Sequence, residues 1–392
     1  MLMNFKNIYQ LIFSTFKLFI KSKWKFSAPK SKKILVIDGA DDPFKFFFKR
    51  KEYEIIYRRG EEINFYVLYK CLKNLGFSRL DYYKNFIEIV KPKIILTYFD
   101  HYNFFYKLSK LVKIRTAFVV RGKRTYSDGL FKVKNKKDQT NDKEGNFVDY
   151  MFVHNKLIVK KYEKIISGKV IPIGSFLNNI QRKKKIIRKD SILWISTFKP
   201  DGKDWINPVN KKKFKNSYFQ KNDKYIIKHL YDYSKKNNFK FHILGRLGSK
   251  NEIAEIDFYK KIIGENFKFI SKRKYPDSYS VIEEFIYVFT TWSTLGVEKL
   301  VKGGKVGFIF NKPKNAAWNN ARLGAIEGLK KTGPFWTTCK GKDIKEFNRV
   351  INFVFKASNL SWQRVRKKIG SKLMFYDYGN KKFEKVIKKT LH

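Results

Sequence analysis

Short apolar runs alternate with helical patterns along most of this 392-residue chain, and the alternation constrains its fold more than any other feature. The clearest example lies at 285–310. There an apolar run, Phe285 to Phe289, precedes a polar break, a short helical segment and a second apolar run, Val306 to Phe310. Strand, turn, helix and strand in this order form the repeating unit of a parallel sheet. We therefore predict that the chain folds around parallel sheets.

The first half of the chain repeats this pattern. Strand-like runs are predicted at 34–37, 53–57, 94–98, 116–120, 150–153 and 170–173. Helical patterns lie between several of them, at 63–75, 82–90, 104–112 and 157–166. The alternation predicts a doubly wound, Rossmann-like domain over residues 29–180.

A second α/β domain is predicted after a basic, polar linker at 181–190. Its strand-like runs lie at 192–195, 241–244, 267–269, 286–289 and 306–310, with helical patterns at 225–236 and 256–263. This domain covers residues 191–344, and a helical tail covers residues 345–392. Because ligands of open α/β sheets bind at the carboxyl ends of strands, we expect the two domains to face a shared cleft.

Residues 1–28 differ from the rest of the chain. Apolar side chains recur at helical spacing between Ile8 and Ile20, and lysines interrupt or follow them. The apolar runs are shorter than the roughly 20 residues that a membrane-spanning helix needs. We expect an amphipathic helix that either lies on an anionic membrane surface or packs on the first domain.

The composition excludes several classes of protein. The apolar content of 43% excludes a disordered chain, and the two cysteines, Cys71 and Cys339, exclude a disulfide framework and favour a cytoplasmic protein. The net charge of +52 comes mainly from lysines spread along the chain, without a nucleic-acid-binding motif. The charge therefore favours anionic membranes and phosphorylated substrates over nucleic acid.

The polar break within 285–310 is a candidate phosphate site. It lies between the end of a strand and the start of a helix, where free N–H groups and the helix dipole attract anions. Ser293 and Thr294 can bind the anion there, or can cap the helix. Glu298 lies one turn into the helix, where its carboxylate can accept hydrogen bonds from a ribose diol.

Other polar residues follow predicted strands and are candidates for the same chemistry. In the second domain these are Ser196, Arg246 and Lys272. In the first domain the candidate acid–base residues are Asp100, His101 and Glu61. Each of the three can instead cap a helix. The acceptor-side candidates are Arg59, Arg121, Arg124 and Asp128.

Two motifs of nucleotide enzymes are missing from the sequence. It contains no Asp-x-Asp pair that would hold a divalent cation against a diphosphate, and no phosphate-binding loop of the Gly-x-x-x-x-Gly-Lys-Ser/Thr kind. We therefore expect neither a metal nor another cofactor. Cations and helix N–H groups would stabilise a leaving diphosphate instead.

Several segments resemble bacterial surface carbohydrate biosynthesis proteins. These segments are RRGEEINFYVLYKCL (58–72), KPKIILTYFDHYNFFYKL (91–108), FVVRGKRTYSDGLF (118–131), 148–179, ILWISTF (192–198), WSTLGVEKLVKGGKVGFI (292–309) and GPFWT (333–337). The sequence departs from the family pattern in two places: Val120-Arg121-Gly122 stands where Gln-Asn-Gly is usual, and Val297 stands where Tyr is usual.

This resemblance implies a GT-B-like glycosyltransferase of capsule, O-antigen or lipopolysaccharide synthesis. Its substrates would be a nucleotide-sugar donor and a lipid-linked or glycan acceptor. The protein would be cytoplasmic and would work at the inner face of the cytoplasmic membrane. Asp100 or His101 would deprotonate the acceptor in an inverting reaction. The alternatives are a nucleotide-sugar 2-epimerase or a glycerophosphotransferase of the same architecture, or a non-enzymatic binder of membranes or nucleic acid.

Overall fold

The structure is a computed structural model of the chain. It describes residues 20–38, 43–58, 60–76, 78–98, 103–120, 145–182, 186–200, 205–206, 213–215, 217, 220, 222–247, 251–272, 277–312 and 330–392. The described residues form two compact units. Unit 1 comprises Met1–Ile180 and Asp377–His392, and unit 2 comprises Gln181–Tyr376.

Unit 1 is built on a six-stranded parallel sheet of order β3-β2-β5-β6-β7-β8. The strands of the unit are β1 Lys23–Lys25, β2 Ile34–Ile37, β3 Tyr53–Ile56, β4 Glu62–Asn64, β5 Ile94–Thr97, β6 Arg115–Val119, β7 Phe147–Val153 and β8 Ser167–Pro172. Its first four helices are α1 Phe65–Lys73, α2 Arg79–Val90, α3 Asn103–Leu111 and α4 Lys156–Tyr162.

Unit 2 has a second six-stranded parallel sheet, of order β13-β12-β9-β14-β15-β16. Its strands are β9 Arg188–Ile195, β12 Lys240–Leu244, β13 Lys268–Ile270, β14 Phe285–Thr290, β15 Lys305–Lys312 and β16 Trp336–Lys340, with a separate antiparallel pair, β10 Trp205–Ile206 and β11 Lys213–Phe214. Its helices are α5 Asp223–Lys236, α6 Glu252–Ile263, α7 Ser278–Glu283, α8 Thr294–Val301, α9 Ile344–Lys356 and α10 Asn359–Leu373. The predicted α/β class with two Rossmann-like units is confirmed.

Both faces of the unit 1 sheet are buried, as the apolar strands predict. Alternate residues of β2 belong to different cores: Leu35 and Ile37 pack with α1 to α4, and Ile34 and Val36 pack on the opposite face. The second face is covered from the far end of the chain by the last helix, α11 Lys381–Leu391.

Phe383 of α11 is the centre of this second core. It is fully buried, and its ring lies 4.9 to 6.4 Å from five other rings. These belong to Phe44, Phe47, Phe48, Phe152 and Phe176. The contacts with Phe47, Phe152 and Phe176 are edge-to-face, a geometry that stabilises aromatic pairs beyond the burial of their apolar surface.

Buried amide side chains fix the turn that leads into α11. The Asn179 Nδ2 donates to the Ile173 carbonyl at 2.7 Å and to Asn380 Oδ1 at 2.9 Å. Asn380 Nδ2 in turn donates to the Phe176 carbonyl at 2.9 Å, and Asp377 N donates to Asn179 Oδ1 at 3.2 Å. The buried polar groups therefore satisfy one another, as a stable core requires.

Three predicted segments differ in the structure. Most of the predicted helix at 1–28 lies outside the described residues, but Lys23–Lys25 form a strand, β1, that pairs in parallel with β4. The helix predicted from residue 63 begins at Phe65, because Asn64 ends β4 and caps α1 by accepting from Val67 N at 3.0 Å. Within the predicted linker at 181–190, residues from Arg188 onward belong to β9 and pair with β14.

The predicted tail at 345–392 is helical, but its helices are divided between the two units. Helices α9 and α10 belong to unit 2, where Val350, Val354 and Trp362 join its core. Helix α11 belongs to unit 1. No helix in the described ranges is long and apolar enough to cross a membrane.

The Phe383→Ala variant should destabilise unit 1 by about 3–5 kcal/mol, because it leaves a cavity among five rings. Chemical denaturation measures the loss, and hydrogen exchange in β2 and β5 assigns it to unit 1. Tyr378→Ala, which shortens a half-exposed ring next to α11, is the matched control and should change stability by less than about 1 kcal/mol. Equal stability of Phe383→Ala and the wild type would contradict the assigned role of α11.

Candidate functional site

The strand order of unit 2 reverses between β9 and β14. From β9 the chain adds β12 and β13 on one side, and then β14, β15 and β16 on the other. In open α/β sheets such a reversal leaves a crevice at the carboxyl ends of the two central strands, and ligands bind there. The loops after Ile195 and Thr290 line this place in unit 2.

Helix α8 begins at this reversal point. Its N-cap residue, Ser293, makes no side-chain capping hydrogen bond. The first N–H groups of a helix, here those of Thr294 and Leu295, have no partner within the helix. Ser293 and Thr294 are both half-buried and carry hydroxyl groups next to these donors. The predicted phosphate site therefore has the donors and the helix dipole that an anion needs.

Glycines hold α8 in place at both ends. A Cβ on Gly296 would lie 2.9 Å from Thr290 Cγ2 and 3.0 Å from the Phe308 ring, so only glycine lets the helix start this close to the strands. At the other end Gly303 has φ of +112°, and Gly304 N donates to the Lys299 carbonyl at 3.0 Å. The helix thus ends in the way that glycines commonly end helices.

Threonine hydroxyls join the loops that follow β9 and β14. Thr197 Oγ1 and Thr291 Oγ1 share a hydrogen bond of 2.9 Å, and both residues are buried. Thr290 Oγ1 donates to the Ile195 carbonyl at 3.2 Å. These bonds fix the floor beneath the start of α8. Thr197 follows the predicted strand at 192–195 directly after Ser196, the residue that was predicted to bind the donor.

Ser196, a predicted donor-binding residue, takes part in an internal network instead. Its hydroxyl accepts from Tyr259 Oη at 2.8 Å and from Phe198 N at 3.2 Å, and Trp194 Nε1 donates to Tyr259 Oη at 3.1 Å. Ser196 is buried. In the structure this side chain is therefore held within the hydrogen-bond network of the sheet.

Arg246 follows β12, the strand beside β9, as predicted. Arg246 is exposed, and its Nη1 donates a hydrogen bond to the Phe198 carbonyl at 2.9 Å. The backbone of its loop is held by Glu255, which accepts from Arg246 N at 2.9 Å and from Leu247 N at 3.0 Å. Burial raises the pKa of the Glu255 carboxyl. Glu255 thus positions Arg246, a role that no sequence pattern indicated.

Lys272 is exposed and follows β13, the edge strand. Two strand spacings of about 4.8 Å each separate β13 from β9. Lys272 is therefore farther from the reversal point than Arg246.

Glu298 lies in the second turn of α8 and is buried. Tyr279 Oη donates to Glu298 Oε1 at 3.0 Å. The guanidinium of Arg182 lies 4.6 Å from the centre of the Tyr279 ring, and Arg182 Nε contacts Asp277 Oδ2 at 3.1 Å. Tyr279 therefore fixes the orientation of the carboxylate that was predicted to bind ribose.

Lys299 is a buried cation next to Glu298 in the chain. Burial lowers the pKa of Lys299 to about 8, and the charge of Lys302 acts in the same direction, whereas the charge of Glu283 opposes it. The aliphatic part of the Lys299 side chain packs against Gly304. A Cβ atom at position 304 would lie only 2.3 Å from Lys299 Cε, so this packing requires glycine there.

Most predicted residues of unit 1 lie outside the described residues. These are Asp100, His101, Arg59, Arg121, Arg124 and Asp128. Glu61 is described and half-buried, and it lies directly before β4. It does not cap α1, because Asn64 does so.

Two polar groups at the carboxyl edge of the unit 1 sheet were not predicted from the sequence. Asp38 directly follows β2, has φ of +74° and pairs with Arg58 Nε at 3.3 Å. His154 directly follows β7, is buried, and donates from Nδ1 to the Gly174 carbonyl at 3.1 Å. A polar residue immediately after an apolar run was the available signal for both.

The described part of the chain contains no cluster of three or more His, Cys, Asp or Glu side chains that could hold a metal ion.

The model of a protein family described as "putative O-antigen biosynthesis protein" matches residues 117–391, more than half of the chain. No curated protein sequence matches the chain.

Solved structures share the fold at low sequence identity. MnaA from S. aureus, solved with UDP, is 11% identical with a TM-score of 0.52, covering 92% of this chain and 97% of its own. The UDP-GlcNAc 2-epimerase from Neisseria meningitidis, bound to UDP-GlcNAc, is 13% identical with a TM-score of 0.50, covering 91% and 98%. UGT89C1 from Arabidopsis thaliana, complexed with quercetin, is 8% identical with a TM-score of 0.50, covering 92% of each chain. These likenesses confirm the predicted GT-B-like fold.

The Lys299→Met variant should be more stable than the wild type at pH 7, by at most about 3 kcal/mol. Folding penalises the charged form of Lys299, because its pKa falls from 10.5 to about 8. The penalty is complete below pH 8 and disappears as the pH rises towards 10.5. The difference in unfolding free energy should therefore shrink between pH 8 and pH 10, as measured by denaturant titration of both proteins. A constant difference over this range would show that Lys299 does not titrate as its burial requires.

Proposed function

Because the chain belongs to this family of O-antigen biosynthesis proteins, we propose that it transfers a sugar from a nucleotide-sugar donor to a surface glycan. Membership of the family confirms the predicted part in surface carbohydrate biosynthesis. The transfer reaction and its residues are our proposal.

One observation carries the proposal: α8 begins without a side-chain cap at the strand reversal of unit 2. The N–H groups of Thr294 and Leu295 and the hydroxyls of Ser293 and Thr294 lie there together. A diphosphate supplies the acceptors and the negative charge that this arrangement favours.

The proposed donor contacts follow from the same geometry. Ser293 and Thr294 bind phosphate, and Arg246 on the neighbouring loop offsets the charge that develops on the leaving diphosphate. Glu298, oriented by Tyr279, accepts hydrogen bonds from the ribose. Lys272 is assigned to the outer part of the donor, since it follows the edge strand. In our assignment Thr197 replaces Ser196 beside the site.

The acceptor side is proposed on the sequence alone. Asp100 or His101 acts as the general base, and Glu61 is the third candidate. Arg59, Arg121, Arg124 and Asp128 bind the acceptor. The product leaves with inverted configuration, because a single displacement by the acceptor oxygen needs one base and no covalent intermediate.

We further propose that the reaction needs no metal ion, since helix N–H groups and cations meet the leaving diphosphate. Activity that persists in a chelator supports this, and activity restored only by a divalent cation contradicts it. We also propose that the enzyme works at an anionic membrane surface, where a lipid-linked acceptor lies. The net charge of +52 supports this location.

The Thr294→Pro variant tests the donor site directly. Proline suits the first position of a helix but lacks the N–H, and the extended backbone of Ser293, with ψ of 134°, tolerates a following proline. One hydrogen bond to a charged group is lost, so the dissociation constant for the nucleotide sugar should rise about 10- to 100-fold. Calorimetry with a panel of nucleotide sugars measures it.

Two matched variants serve as controls for Thr294→Pro. Asn359→Pro places proline at the first position of α10, after a residue with ψ of 158°, and should bind the donor normally. Thr294→Ala keeps the N–H and should lose less affinity than Thr294→Pro. Normal binding by Thr294→Pro would overturn the proposed site.

Product analysis tests the reaction itself. With a donor and a membrane extract as acceptor, we expect sugar to enter the extract and free nucleoside diphosphate to form. Conversion of the nucleotide sugar to an isomer without any acceptor would instead show an epimerase.

A further inference from the structure

The outer face of α1 in unit 1 is unusually apolar. Phe65, Tyr69 and Leu72 recur at the i, i+4, i+7 spacing of one helix face, and each is between 49% and 58% exposed. The opposite face, with Val67 and Cys71, packs into the core. A helix on a protein surface normally turns a polar face to water. Helix α1 instead has an exposed apolar face in addition to its buried one.

Neighbouring residues extend this face. Leu75, just after α1, is 80% exposed. Phe26 is 70% exposed, and its ring lies 5.6 Å from that of Phe65. Phe26 directly follows β1, which pairs with β4, and β4 leads into α1. The α1 surface, defined as Phe26, Phe65, Tyr69, Leu72 and Leu75, is therefore continuous with the end of the N-terminal segment.

The charges around the α1 surface are positive. Lys70 and Lys73 lie on α1 beside its apolar stripe, and the helix sequence contains no acidic residue. Residues 20–26, which end at Phe26, contain three lysines and neither Asp nor Glu. Glu62, at the edge of the surface, is paired with Lys25 at 2.9 Å.

We propose that the α1 surface docks on the anionic leaflet of a lipid bilayer. Aromatic and aliphatic side chains enter the boundary between headgroups and acyl chains, and lysines beside them bind the phosphates of the headgroups. The charge pattern favours lipid over a protein partner, because α1 contributes lysines and no acidic residue, and Glu62 at the edge of the surface is already paired with Lys25. This assignment rests on the membrane location proposed above and names the surface responsible for it.

Vesicle binding tests the assignment on the full-length protein. Phosphatidylglycerol vesicles should bind the wild type, and neutral phosphatidylcholine vesicles should bind it at least about tenfold more weakly. The Phe65→Ser/Tyr69→Ser/Leu72→Ser variant should lose at least about 30-fold in the partition coefficient, since each large side chain contributes several-fold or more. Sedimentation with vesicles measures both.

Controls separate the surface from general stickiness and from misfolding. Ile253→Ser/Leu360→Ser removes two side chains that are each 73% exposed in unit 2, and it should bind vesicles as the wild type does. Lys70→Glu/Lys73→Glu keeps the apolar stripe and should lose affinity for phosphatidylglycerol vesicles alone. Thermal unfolding should be unchanged in all variants, because the substituted residues are not buried.

A polarity-sensitive fluorophore on Tyr69→Cys reports the environment of the surface directly. Its emission should shift to the blue when phosphatidylglycerol vesicles are added, and the same label on Leu360→Cys should not shift. An emission already shifted without vesicles would overturn the proposal, because the N-terminal segment or a second copy would then cover α1.

The failures are distinguishable. If the wild type binds vesicles and the triple serine variant binds equally well, the α1 surface is the wrong surface and the membrane location stands. If the wild type binds no vesicle, the proposed membrane location fails with it. Neither result bears on the donor site of unit 2.

Discussion

A parallel sheet has two apolar faces, and the need to bury both governs the structure of this chain. Helices α1 to α4 cover only one face of the unit 1 sheet. The other face is covered from the end of the chain, where α11 brings Phe383 into a cluster of five rings. The last 16 residues thus belong to unit 1, although 196 residues of unit 2 separate them from the rest of it.

The parallel order of the strands also determines where the loops of each sheet lie. Because every strand of a sheet is parallel, the loops after the strands and the starts of the following helices gather on one edge. Each sheet reverses its strand order beside its first strand. At both reversals a threonine that ends the adjoining strand donates to the last carbonyl of the first strand. Thr97 donates to Ile37 at 3.1 Å, and Thr290 donates to Ile195 at 3.2 Å. In unit 2 this bond lies directly before the open start of α8.

The sequence predicted most of this architecture, because buried strands and amphipathic helices leave periodic patterns. It could not predict which unit a helix joins, since the pattern of α11 records one apolar face and not its partner. The three-residue strands β1 and β4 were missed because such short runs carry no period, and residues 63–64 continue the helical pattern of α1.

The candidate site was predicted less completely than the fold. Ser293, Thr294 and Glu298 could be found because strand, turn and helix signals converge on them. Ser196 and Thr197 could not be distinguished, because neighbouring residues at a strand end point in different directions. In the structure Ser196 bonds to Tyr259 and Thr197 bonds to Thr291. Glu255 acts on backbone N–H groups nine and eight residues before it, a contact that leaves no pattern.

In the proposed function, the start of α8 binds the diphosphate of a nucleotide sugar. Amide hydrogen exchange with and without saturating nucleoside diphosphate measures this most directly, because the proposed ligands are N–H groups. We expect slower exchange in a peptide spanning Ser293 to Val297, with smaller changes around Arg246. Unchanged exchange at the start of α8, with protection elsewhere in the chain, would contradict it.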